Sequence, residues 1–193
     1  MALATAAAHD RAEATYRPAA NRLGLWLFLA SEACLFAAFI SSRYVLVGTD
    51  QPEHLNQALA LFLTVVLLVS SISAYLAESA IAADRRMACR RLLKITIVLA
   101  FAFLVGVGFE FAEAAADFPI DTAYGSVFFV LIGLHGFHVL TGALALIVVL
   151  RLTGKGHYGS GDYWPIEGAV KYWHFVDVAW VVIYPTLYLV GGG

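Results

Sequence analysis

Residues 172–184 read YWHFVDVAWVVIY, an apolar run that carries a histidine and an aspartate, His174 and Asp177, three positions apart. On a helix that spacing puts both on one face. At the helical period Tyr184 and Tyr188 fall within about 80° of His174, so the same face continues with aromatic tips. The stretch is too apolar for a solvated helix and too charged for one surrounded by lipid. It fits a membrane helix that turns one polar face toward protein.

The rest of the chain agrees. Of 193 residues, 61% are hydrophobic and only 13% are charged, and the mean hydropathy is +0.79. A soluble domain has about 45–50% apolar and about 25% charged residues, so the composition argues against a soluble fold. A spanning helix needs about 20 mostly apolar residues. Five segments meet that requirement, at 22–47, 55–81, 92–115, 123–152 and 168–190. The connectors carry breakers: GTDQPE after the first, DFPIDT after the third, TGKGHYGSGDYWP after the fourth. The expected fold is all-α, a polytopic bundle of five transmembrane helices over 21–193, preceded by a flexible cytoplasmic tail over 1–20. That tail is polar and alanine-rich and does not read as a cleavable signal peptide. No internal repeat suggests an inverted-repeat transporter.

Five spans put the tail, the second loop and the fourth loop on one side. That side holds Arg11, Arg17, Arg22, Arg85, Arg86, Arg90, Arg91, Lys94, Arg151, Lys155 and Lys171. The other keeps Arg43 alone, beside Asp50, Glu53, Asp117 and Asp121. The bias predicts a cytoplasmic N-terminus and an external C-terminus. The run RRMACRRLLK, with Arg85, Arg86, Arg90, Arg91 and Lys94, marks the cytoplasmic flank, where each base attracts anionic headgroups by about 1 kcal/mol. Tyr158, Tyr163 and Trp164 suit an interfacial belt. Cys34 falls in a span and Cys89 in the arginine-rich loop, so no disulfide framework is expected.

Six ionisable residues lie within the spans: Glu32, Glu110, His135, His138, His174 and Asp177. A carboxylate at a helix centre costs about 2.5–3.5 kcal/mol on insertion scales. Each must face protein or a wet cavity. His135 and His138 repeat the three-residue spacing of His174 and Asp177, and Gly142 continues their face, letting a neighbouring backbone approach. By count, Glu110 lies nearer the outside than the other five. Three roles stay open: interhelical hydrogen bonding, proton handling in a wet cavity, and ligation of a metal or haem. No P-loop, GxSxG or CxxC motif occurs. Neither a nucleophilic active site nor a nucleic-acid partner is indicated.

Several motifs together carry a family resemblance. YWHFVDVAWVVIYPTLY resembles the final-helix signature of subunit III of the haem–copper oxidases, the cytochrome c oxidase subunit III family. YGSVFFVLIGLHGFHVLTG resembles its helix with paired histidines, here His135 and His138, and LWLFLASEACLFAAFISSRY its helix with a mid-membrane glutamate, here Glu32. GVGFEFAE places Glu110 at a matching glutamate, and LTVVLLVSSISAYLAESA is similar to the serine-containing helix. The motifs occur in the family's order. The resemblance implies a short, five-helix bacterial form in the inner (plasma) membrane, lacking the two extra N-terminal helices of larger members.

It also implies an accessory subunit with no catalytic centre of its own, in a proton-translocating oxidoreductase of the aerobic respiratory chain. Its partners would be the catalytic subunit I, subunit II and a small subunit IV, with haem and copper in the partners and none in this chain. Support of stability and proton uptake, and bound phospholipid, follow from the same resemblance. The polar residues would then be buried anchors or contacts to protons and lipid. Subunits of quinol oxidases and a nitric oxide reductase-associated homologue share these motifs. A stand-alone proton or ion carrier using the Glu32, histidine and aspartate cluster, and a haem- or metal-binding electron carrier, are the readings from other classes.

Overall fold

The computed structural model describes residues 2–48, 55–117 and 119–191, with side chains from Ala19 onward. Asp50 and Glu53 of the acidic flank lie outside the described residues, as do the side chains of Arg11 and Arg17. The elements are α1 Ala2–Leu46, α2 Gln57–Ala82, α3 Arg86–Asp117, α4 Ala123–Gly154 and α5 Trp164–Tyr188. Among the described residues four segments are long and apolar enough to cross a membrane: Ala19–Leu46 of α1 and the whole of α2, α3 and α4. At 25 residues α5 has the length, but Glu167, Lys171 and Asp177 dilute its apolar character. α1 continues backward through the segment read above as a tail.

Local chemistry sets the helix ends. Asn56 starts α2, its side-chain oxygen accepting from the Leu59 amide at 3.1 Å, and Thr122 starts α4 by accepting from Gly125 at 3.0 Å. Pro165 stands in the first turn of α5, where a missing N–H costs nothing. α4 ends where Gly156 takes φ +81°. There Gly156 and His157 donate back to the carbonyls of Thr153 and Leu152 at 3.1 and 3.2 Å, a Schellman closure. α2 ends the same way on Asp84, at φ 56°.

One boundary differs from expectation. α3 begins at Arg86, so the basic run is its first turns rather than a loop, and Cys89 is a buried helical residue. Arginine and lysine are good helix formers, and at 32 residues α3 is about 48 Å long. It therefore outreaches the hydrocarbon and carries its bases beyond it.

α2, α3, α4 and α5 close a ring, each packing on the next, while α1 lies outside against α4 and α5. Antiparallel pairing is fixed by specific contacts. Trp173 donates to Ser70 Oγ at 3.1 Å and Trp180 to Thr64 Oγ1 at 2.9 Å, tying α5 to α2. Between helices, Gly106 and Gly142 admit large side chains closely. A Cβ on Gly106 would stand 2.3 Å from Leu63, and one on Gly142 would stand 2.9 Å from the Trp173 ring. Along α1 only Leu29, Phe36 and Arg43 are buried among the described side chains. Their seven-residue spacing is that of a single packing seam. The remaining face exposes Trp26, Leu27 and Val45.

Candidate functional site

The residues singled out in the sequence assemble at three levels. At mid-height, Glu32 on α1 meets His138 on α4, with Oε2 to Nε2 at 2.9 Å. The other ring nitrogen, Nδ1, lies 2.7 Å from the Leu134 carbonyl and donates to it. With Nδ1–H committed, the contact to Glu32 needs one further proton. Either the carboxylic acid donates to a neutral ring, or an imidazolium donates to a carboxylate. The pair therefore carries one shared proton and no net charge, which suits its place in a membrane helix bundle.

Beside it, His135 is fully buried. Phe103 stands edge-on at 5.6 Å between ring centroids and Trp180 lies at 5.0 Å. Neither ring nitrogen has a hydrogen-bond partner. Phe36 lies 5.0 Å from His138 and 6.4 Å from His135 and so joins the pair to the box.

On α5, Ser71 of α2 places its hydroxyl 2.8 Å from His174 Nδ1. Asp177 Oδ2 is 3.9 Å from the same nitrogen. Serine, histidine and aspartate together suggest a hydrolytic triad, but there the serine and the acid address opposite ring nitrogens. Here both address Nδ1, so no relay exists. Asp177 is 4% exposed and its oxygens have no protein hydrogen-bond partner. His174 thus meets α2, and Asp177 is buried within the bundle.

Glu110 stands apart, toward the other end of the bundle, as the residue count expects. It accepts a hydrogen bond from the Tyr188 hydroxyl. Nearby, Tyr124 donates to the Leu187 carbonyl at 3.0 Å. Arg43, also fully buried, donates to the carbonyls of Gly48 at 2.7 Å and Val190 at 3.5 Å and covers the Tyr124 ring at 5.0 Å. The lone base on the acidic side is thus spent on closing the ends of α1 and α5.

At the opposite end, just before the fifth span, Glu167 binds Lys171 and, at 3.4 Å, Arg22 of α1. Trp164 takes both cations against its ring, each at 5.8 Å. Burial works against the Glu167 charge, yet the hydrogen-bonded Lys171 ammonium and the Arg22 guanidinium hold its carboxyl below the usual carboxylate range. Of the basic flank, Arg90 lies over Gly154, while Arg86 packs on Gly159 and pairs with Asp84 at 3.6 Å. These two clip the α4–α5 loop; Arg85, Arg91 and Lys94 are exposed.

Sequence reasoning missed Ser71, Glu78 and Tyr172, and it named Arg43 only as the lone base of its side. Glu78 of α2 faces the Lys171 and Glu167 cluster. Tyr172 meets Thr141 at 2.8 Å, beside His138. Glu78 had a signal, since it is an acid inside an apolar span. Ser71 and Tyr172 had none beyond lying one turn from a histidine-bearing level. Among the described residues no group of three or more His, Cys, Asp or Glu is placed to hold a metal ion. A groove of about 570 Å³ runs between α1 and α5, lined by Trp26, Leu29, Ala33, Lys171, His174 and Phe175.

Comparison with known proteins adds a family to this geometry. The family model described as cytochrome c oxidase subunit III matches residues 8–192. The chain is similar to cytochrome c oxidase subunit 3 of Corynebacterium diphtheriae, 34% identical over 194 residues and 95% of each chain. It is similar to that of Alkalihalophilus pseudofirmus, 35% identical over 179 residues, with 89% of this chain and 87% of the relative covered. With the protein of the same name from Lumbricus terrestris it is 34% identical over 184 residues, covering 86% of this chain and 69% of the relative.

Proposed function

The chain belongs to the cytochrome c oxidase subunit III family, and from that premise we propose that it is the non-catalytic accessory subunit III of a respiratory terminal oxidase. It packs on the catalytic subunit I in a bacterial plasma membrane, with subunit II and a small subunit IV in the same assembly. Haem and copper belong to those partners. All five helices cross the membrane, α5 included, because its polar side chains face α2 and its neighbours rather than lipid. The basic ends of α3 and α4 lie in the cytoplasm, as does the N-terminal part of α1. The groove between α1 and α5, apolar with Lys171 in its lining, suits an acyl chain with its anionic headgroup at that lysine.

One observation carries the reading. Four of the six signature histidines and acids are spent on helix-to-helix contacts: Glu32 with His138, His174 with Ser71, Glu110 with Tyr188. That is the interior of a scaffold rather than of a redox centre. Its contribution to the oxidase is stability under turnover, with proton uptake supported at the Glu32–His138 pair, where a proton is shared between α1 and α4.

The test is to strip this chain from the purified oxidase. The account expects the haem spectrum to survive and activity to decline sooner during sustained turnover. Loss of haem bands with the chain would overturn the accessory role. A stand-alone carrier, by contrast, predicts proton or ion flux into vesicles that contain this chain only.

A further inference from the structure

At the end of the molecule that carries the basic flank, α3 opens on Arg86, Arg90 and Arg91, with no acid in its first turn. The helix itself disfavours bases there, since its N-terminus is the positive end of the macrodipole. Arg86 and Arg90 stand one turn apart and share a face. Both press on the turn that joins α4 to α5. A Cβ on Gly154 would stand 3.3–3.5 Å from three atoms of the Arg90 guanidinium, and one on Gly159 would stand 2.9 Å from Arg86 Nη2. Glycine at these positions lets two guanidiniums rest on the backbone. Lys155 follows Gly154 directly, and Arg151 lies in the last turn of α4, so the same turn carries two more cations. The acids nearby are Asp84, which Arg86 meets at 3.6 Å, and Asp162, whose backbone closes the turn on Gly159.

Arg90 makes this more than a solvated flank. Its Nε is buried with no hydrogen-bond partner among the described residues. A buried carboxyl answers such a position by taking up a proton, but a guanidinium does not give one up. The end of α4 does not answer it either. Its last carbonyls, of Arg151, Leu152 and Thr153, are taken by the amides of Lys155, Gly156 and His157. Charge and donors are therefore left for an anion.

We propose that the α4–α5 turn, with Arg86, Arg90, Arg151 and Lys155, is a binding site for a phosphate group. Guanidinium forks match phosphate oxygens bidentately, and lysine adds a point charge. The turn directly follows the apolar run of α4, at the level where membrane phosphates stand. A phospholipid headgroup and a soluble phosphate ester both present the required chemistry. Bound there, the phosphate would fasten the start of α3 to the end of α4. It would also relieve two like-charged pairs at four-residue spacing, Arg86 with Arg90 and Arg151 with Lys155.

The experiment is native mass spectrometry of the full chain, delipidated in maltoside detergent. Phosphatidylglycerol is the probe in one arm and inorganic pyrophosphate in the other. The expected result is one saturable adduct: with the lipid it identifies a headgroup site, with pyrophosphate a soluble ligand. Half-saturation should rise about tenfold in Arg90→Gln/Lys155→Gln, as charge-assisted hydrogen bonds are lost. Arg85→Gln/Arg91→Gln removes the same charge from the same flank and should leave it unchanged. Arg85 precedes the helix, and Arg91 lies about 100° round α3 from Arg90. Arg90→Lys keeps the charge but loses the Nε donor, and should raise half-saturation about threefold. No saturable adduct in either arm, or an equal loss in the two double variants, would overturn the site. An unchanged Arg90→Lys would remove the buried donor on which it rests.

Discussion

Replacing Glu32 tests the tie between α1 and the four-helix ring. Glu32→Leu removes the partner of His138 Nε2 and leaves that nitrogen in a side chain only 7% exposed. Interhelical hydrogen bonds in membranes average about 0.6 kcal/mol and reach about 1.7; those to a charged group reach about 1.5–3 kcal/mol. Little water can replace the lost partner at His138, so the expected cost is about 1–3 kcal/mol. Glu32→Gln is the discriminating variant. Its amide N–H can donate to Nε2 while Nδ1 keeps donating to Leu134, so the bond survives without a shared proton and the loss should stay under about 1 kcal/mol. The assay is reversible unfolding of the full chain by sodium dodecyl sulfate in mixed micelles, run as a double-mutant cycle with His138→Leu. A coupling of about 1–2 kcal/mol is expected for residues in direct contact. A coupling of zero, or a Leu variant as stable as the unmodified chain, would refute the tie.

Other outcomes follow from the same contacts. Asp177→Asn, close in shape and uncharged, should change little, and Asp177→Leu, which removes two buried oxygens without a hydrogen-bond partner, should leave retention of the chain in its complex intact; loss of retention in the Leu variant, read by blotting the purified assembly, would contradict this. Gly142→Val drives a methyl into the Trp173 ring, which already lies 2.9 Å from the Cβ position, and should cost about 1–3 kcal/mol in the same unfolding assay. The Glu167 carboxyl, held below its usual range by Lys171 and Arg22 against the effect of burial, should stabilise the folded chain above the ordinary carboxylate range. That contribution should fade as pH falls through its lowered folded value. The gap in unfolding midpoint between the unmodified chain and Glu167→Gln should therefore be constant near neutrality and close in acid; a gap independent of pH would contradict the ion pair.

Much of the architecture was legible because hydrophobic length is a strong signal. The bounds expected for the second and fourth spans, 55–81 and 123–152, fall within two residues of α2 and α4. The start of α3 was misread because a basic run looks like a loop edge, although arginine is a good helix former and a helix outlasts the hydrocarbon. Glu110 could be placed away from the other polar residues by counting alone. The pairing of Glu32 with His138 could not, since helix order is set by packing: Gly142 admitting Trp173, and the seven-residue seam of Leu29, Phe36 and Arg43. Nor could counting reveal that Ser71 and Asp177 would address the same nitrogen of His174, which decides against a relay.

The most direct measurement is a mild-detergent purification on a tag carried by this chain, with an absorption spectrum and mass spectrometry of the eluate. The account predicts haem bands that travel with a large co-purifying catalytic subunit. A colourless eluate holding this chain alone would contradict it.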